Sequence, residues 1–222
     1  LTLSRGYGME SVRQRAMSVA ETVSASLSEV VDDSTLELVV DLRLAFGRLL
    51  AALGANERAE KEHLDTAELS LSQGWTETAC AALALASHAA QARGDRASSG
   101  RAWHQCRDAM ESWPMNRPGE RCGILVDAVG DPLVAVQVLS ALAEVLVEGV
   151  EEDHSRASIV REIISRASDQ ASRCVSSPQN AVESLARVEE RIAPYGRGRG
   201  GRRRPGSTAT IMSDGQAASG GS

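Results

Sequence analysis

The sequence predicts an all-α fold of about nine helices, and three observations carry that expectation. Of 222 residues, 42% are hydrophobic but only 3% are aromatic. The apolar content is therefore alanine, leucine and valine, which disfavours sheets built on aromatic and β-branched side chains and suits helices packed closely on small residues. Apolar residues recur at three- and four-residue steps along most of the chain, with no strand-like alternation. The connections are short, so successive helices must be antiparallel neighbours, in a bundle or in a stack of hairpins.

Taken in order, Val12, Ala16, Val19, Val23, Leu27 and Val30 form one apolar stripe over residues 10–31, broken at Asp32-Asp33. Ser34-x-x-Glu37 reads as a capping box for a second helix, Thr35 to Leu53, which ends at Gly54. A third runs from Asn56 to Gln73 and stops at Gly74, and a fourth, rich in alanine, runs from Thr76 to Arg93 before Gly94-Asp95. A fifth, Ala97 to Trp113, is closed by Pro114; a sixth, Gly119 to Val129, ends at Gly130. Asp131-Pro132 starts the seventh, with aspartate as the cap and proline at the first helical position, where its missing N–H costs nothing. The eighth spans Ser155 to Val175, and Ser177-Pro178 opens the ninth by the same device, with Ala181, Leu185, Val188 and Ile192 on one side.

Small residues repeat at fixed steps along these helices. Gly47 is followed seven residues later by Gly54 and five later by Ala59; Gly123, Gly130 and Ala135 repeat the spacing. Between the two sets, Ser87 and Gly94 keep the seven-residue step, and the phase then resumes at Ala102, three residues late. Small residues on facing sides let two helices approach, and a hairpin that cannot bury its own face stacks on the next. The segments Phe46-Gly47…Leu53-Gly54…Ala59, Ser87…Gly94-Asp95…Ala102…Ala109…Pro114 and Cys122-Gly123…Gly130-Asp131-Pro132…Ala135 resemble tetratricopeptide repeats. Residues 155–194 make a fourth, degenerate hairpin. The resemblance covers residues 38–194, with repeat spacings of 40 and 36 and few of the aromatic residues that the family carries, Phe46 and Trp103 being the nearest. It implies antiparallel hairpins stacked as a TPR-like right-handed solenoid. Residues 1–37 are then an N-terminal helix and linker, and 195–222 a disordered tail, Arg/Gly-rich and then Gly/Ser-rich.

The formal charge of −6 is unevenly spread. Five arginines against Asp214 make residues 194–222 +4, leaving −10 on the body before them. An acidic body disfavours non-specific duplex binding. The four cysteines, Cys80, Cys106, Cys122 and Cys174, lack C-x-x-C spacing and read as reduced thiols. The most apolar windows, 79–90 and 132–150, are respectively too short and too interrupted by Gln137, Glu144 and Glu148 to span a bilayer. Together with the lack of a secretory leader pattern, this predicts a soluble, cytoplasmic protein without a membrane partner. The chain opens on Leu1, with Met9 its first methionine, which fits an excised segment or an alternative start.

No pattern for catalysis stands out. There is no G-x-S-x-G elbow and no phosphate-binding G-x-x-x-x-G-K-[ST] loop, and the single lysine, Lys61, sits in a charged stretch. Cys80, His88, His104 and Cys106 lack the spacing of a zinc site, and the acidic run Glu144, Glu148, Glu151, Glu152 and Asp153 reads as a solvated helix end. The expectation is a binding scaffold without cofactor or metal, not an enzyme. The resemblance implies a concave groove for a protein or peptide partner, with Asp41, Leu44 and Arg48, then His88 and Gln91, then Arg117, Glu120 and Asp127 facing it; a homo-oligomer stays open. Trp75 and Trp113 sit at helix ends, where a half-exposed indole would mark an interface. The alternative lies in the tail. Arg197, Arg199, Arg202, Arg203 and Arg204, interspersed with glycines, resemble a nucleic-acid-binding segment; a solubilising tail, a linker to another domain and contact with the chain's own acidic body are together the more common uses of such a stretch.

Overall fold

The computed structural model describes residues 35–151, 153–174 and 179–195, with scattered helical positions between 14 and 26. The capping serine Ser34, the Ser177-Pro178 start and all of the arginine/glycine tail lie outside the described residues. The described chain is all-helical: α1 (Leu36–Ala52), α2 (Asn56–Ser72), α3 (Thr76–Ala92), α4 (Arg96–Glu111), α5 (Pro118–Val129), α6 (Pro132–Val147), α7 (Arg156–Ala171) and α8 (Gln179–Ile192), closed by a 3-10 turn, Ala193–Tyr195. No strand occurs among the described residues.

Local chemistry sets the boundaries. Gly54, Gly74, Gly94 and Gly130 follow helix ends with φ of 76°, 73°, 85° and 68°, the left-handed region in which a Cβ is costly. At the start of α4 the Asp95 carboxylate accepts the Ser98 backbone N–H at 2.9 Å, and the two Ser98 bonds hold its carboxyl below the usual range. At the start of α6 the Asp131 carboxylate accepts the N–H groups of Leu133 and Val134 at 2.8 and 3.1 Å.

The helices stack as a solenoid of antiparallel hairpins. Within each pair, α1–α2, α3–α4, α5–α6 and α7–α8, the two helices pack on each other. The first helices of successive hairpins, α1, α3, α5 and α7, touch in series, and so do α4, α6 and α8 of the second set. α3 lies at the centre, with 13 of its 17 residues buried. Alanine lets its neighbours enclose it closely, because each short side chain shortens the distance between axes. α6 is the second core helix, contributing Val134, Val138, Leu139, Leu142 and Leu146 to one continuous apolar cluster.

The repeated small residues do different things in the three hairpins. A Cβ on Gly47 would enter the imidazole of His63, so that glycine lets α2 lie directly against α1. In the second hairpin the residue opposite Ser87 is Ser99, not Ala102: Ser87 Oγ lies 3.0 Å from both the carbonyl and the hydroxyl of Ser99. Ser99 restores the five-residue step after Gly94, so the phase is unbroken there. Gly123, in contrast, has no neighbour among the described residues within reach of a Cβ, so it makes no close approach to another helix.

Of the N-terminal stripe only Val19 falls among the described residues; Val12, Ala16, Val23, Leu27 and Val30 lie outside them. Val19 is 62% exposed, whereas Met17 packs on a small cluster of Phe46, Leu50, Ala59 and Ala89. Glu21, one turn on from Met17, pairs with Arg58 at 3.3 Å, so the docked face is Met17/Glu21.

Candidate functional site

The first helices of three successive hairpins enclose a groove of about 460 Å³. From α1 come Glu37, Val40, Asp41, Leu44 and Arg48; from the start of α3, Trp75, Glu77 and Thr78; from the end of α5, Ile124, Asp127 and Ala128. α1 points its buried face, Val40 and Leu44, at α3 and leaves Asp41 one position round on the exposed edge. On α5, Leu125 and Val129 are buried, which turns Ile124 and Asp127 outward across from α1. Trp75 precedes α3 and is half-buried against the main core, so its indole forms a floor with one side open.

The electrostatics are one-sided. Four carboxylates line the groove against one guanidinium. The Arg48 guanidinium donates to the backbone carbonyls of Asp127 at 3.3 Å and Ala128 at 3.0 Å, closing the carboxyl end of α5 and tying α1 to it. Glu77 is buried at 5% exposure and is matched by Arg121, which reaches it from the first turn of α5 and is itself held by the Asn116 side chain and carbonyl. Glu37, Asp41 and Asp127 have no ion pair among the described residues.

Of the groove residues expected from the sequence, Asp41, Leu44, Arg48 and Asp127 come together here. His88 and Gln91 do not. They lie about 16 Å further along α3, where α4, α6 and α8 flank the helix. They line a second groove of about 780 Å³ with Trp103, Gln137 and Glu144, and with the basic side chains Arg96, Arg107 and Arg187. Arg117 and Glu120 line neither groove; they pair with each other at 3.4 Å on the surface. The left-handed φ of 50° at Arg117 marks the turn into α5. Trp75 is the aromatic signal that the sequence offers for this groove, whereas Glu77 looks like any other first-turn carboxylate. Trp113 sits in the core at 3% exposure.

The other chemistry-bearing residues are dispersed. Cys80, Cys106 and Cys122 are buried free thiols and Cys174 is half-buried. Burial pushes the Cys122 thiol up to about 12, with the Glu162 carboxylate adding to the rise, and Cys106 is raised by its contact with Cys80 and by burial. His88 and His104 are exposed, away from the buried sulfurs. Among the described residues no three His, Cys, Asp or Glu side chains gather as a metal site, and no helix is long and apolar enough to cross a membrane. Comparison with protein-family profiles, curated proteins and solved structures finds no match to this chain.

Proposed function

We propose that the chain is a TPR-like interaction scaffold that binds a peptide or protein partner along the α1–α3–α5 groove. The observation that carries this reading is the groove itself, built from the first helix of three successive hairpins, with Glu37, Asp41 and Asp127, carboxylates without an ion pair among the described residues, around a half-buried tryptophan. An interface of this make-up selects a segment with arginine or lysine beside an apolar side chain. The cation meets Asp41 and Asp127, and the apolar group or the guanidinium plane covers Trp75. The acidic lining also argues against a nucleic-acid backbone in this groove.

A displayed library of random peptides selected on the chain tests the proposal. The expected binders carry a basic residue, and Asp41→Asn, Asp127→Asn and Trp75→Ala each weaken them, the tryptophan change by about tenfold or more. Binders that tolerate all three changes would place recognition elsewhere and end this assignment.

A further inference from the structure

We infer that the occupant of the α1–α3–α5 groove is the chain's own tail, with the arginine cluster Arg202-Arg203-Arg204 folded back onto it in the same molecule. The inference rests on the reading of this groove as a peptide site and names the peptide. Three observations support it.

The first is charge. Glu37, Asp41 and Asp127 present carboxylates without an ion pair among the described residues, and Arg48 spends its guanidinium on the carbonyls of α5. The second groove carries Arg96, Arg107 and Arg187 against Glu144, so a cationic segment is repelled there and attracted here. The tail holds the complementary charge, five arginines between residues 196 and 205 beside a body of −10.

The second is reach. The Tyr195 ring lies 4.8 Å from that of His154, two residues before α7 begins, so the tail leaves the fold at the amino end of α7. α7 abuts α5 and α5 abuts α3, so the groove lies two helix-to-helix steps across, about 20 Å, and further along the axis as well, because Gly119 at the start of α5 is already level with Glu162 of α7. Arg202 is seven residues beyond Tyr195 and an extended chain of that length reaches about 23 Å. Arg204, nine residues out, reaches about 30 Å, so the cluster covers the lateral and axial steps together, whereas Arg197, two residues out, falls short of them.

The third is fit. Guanidinium groups take carboxylates with paired N–H donors and lie flat on an indole, and both partners are present at Asp41, Asp127 and Trp75. Gly196, Gly198, Gly200 and Gly201 precede the cluster without side chains that would hold the backbone off the surface.

The test uses the full chain and a labelled peptide of residues 196–206, read by fluorescence anisotropy at about 50 mM salt, where exposed ion pairs are weakly screened. Wild type is compared with a chain in which all five tail arginines are replaced by serine. The neutralised chain is expected to bind the free peptide about tenfold or more tightly than wild type, because the tethered tail no longer competes at high local concentration. Adding Asp41→Asn and Asp127→Asn to the neutralised chain should remove that binding, with helical circular dichroism unchanged. Equal affinity of wild type and the neutralised chain overturns the inference, as does a wild-type chain whose mass doubles with concentration through the same arginines. So does a single-stranded RNA oligomer that binds the five arginines equally well with and without the two Asp changes. A lysine-rich control peptide separates the two readings. If the neutralised chain binds the control and not the tail peptide, the tail is wrong and the groove reading stands; if it binds neither, both fall.

Discussion

His63 makes the stability of the fold depend on pH in a way that can be worked out in advance. Its ring is 1% exposed, lies over Gly47, and has Nδ1 without a hydrogen-bond partner among the described residues. Burial, reinforced by the Arg48 guanidinium, lowers its pKa from 6.5 to about 4. The neutral ring is therefore the folded form, and below pH 6.5 the unfolded chain takes up a proton that the native chain refuses. A depressed folded pKa contributes stability that is present above the unfolded value and is lost as pH falls towards the folded one. The full difference is about 3 kcal/mol, of which about 2 kcal/mol is lost between about pH 7.5 and about pH 5. Carboxylates also titrate at the acid end, so the measurement is a difference: urea unfolding by circular dichroism at both pH values, for wild type and for His63→Leu. The variant should lose about 2 kcal/mol less than wild type over this interval. Equal losses, or an imidazole resonance titrating near 6.5 in the native chain, would refute the argument.

Three further changes probe the helix contacts, each read by urea unfolding at neutral pH. Gly47→Ala forces a methyl into the His63 ring and should cost about 1–3 kcal/mol, and His63→Ala in the same chain should recover much of that penalty, giving a coupling of at least about 0.5 kcal/mol. Arg121→Met leaves the Glu77 carboxylate buried without its cation and should cost about 3 kcal/mol; Glu77→Gln added to it should restore part of the loss. Asp131→Ala removes the acceptor for two N–H groups at the start of α6 and should cost about 1 kcal/mol without changing the helix content of the native state.

What could be read from the sequence was what local chemistry decides. Gly54, Gly74, Gly94 and Gly130 mark helix ends because a left-handed residue is needed where each helix stops, and Asp131-Pro132 marks a start because cap and proline act within four residues. The helical hairpins follow from those marks and the short connections. Contacts between distant segments were harder. Ser99 is the partner of Ser87 through a pair of hydroxyls, and a serine in a run of two, Ser98-Ser99, carries no sign of which one faces the neighbouring helix. Repeat phase sets His88 and Gln91 in one groove with Asp41, Arg48 and Asp127, but phase conveys direction around a helix and not which helices flank it at that height. Glu77 and Arg121 are 44 residues apart, and nothing near either one announces the other. Gly123 kept the repeat spacing without the close approach, since spacing alone does not say whether two helices stay together beyond their turn.

The scarcity of aromatic residues bears directly on the groove. α3 is buried along most of its length because alanine lets α1, α2, α4, α5 and α6 all reach it. Larger side chains on α3 would push α1 and α5 outward and widen the space that Asp41 and Asp127 now face from opposite walls. Arg48 fixes that width from within, since it is anchored on α1 and holds the last carbonyls of α5. Gly130 is part of the same device, because a Cβ there would meet the Arg48 guanidinium. The positions of the Asp41 and Asp127 carboxylates are thus set by contacts that do not involve them. Acidic residues on neighbouring helices repel one another, and here that repulsion is borne by packing beneath them. A cationic segment entering between them would relieve it without any movement of the helices, so binding should leave the backbone of α1, α3 and α5 where it is in the free chain.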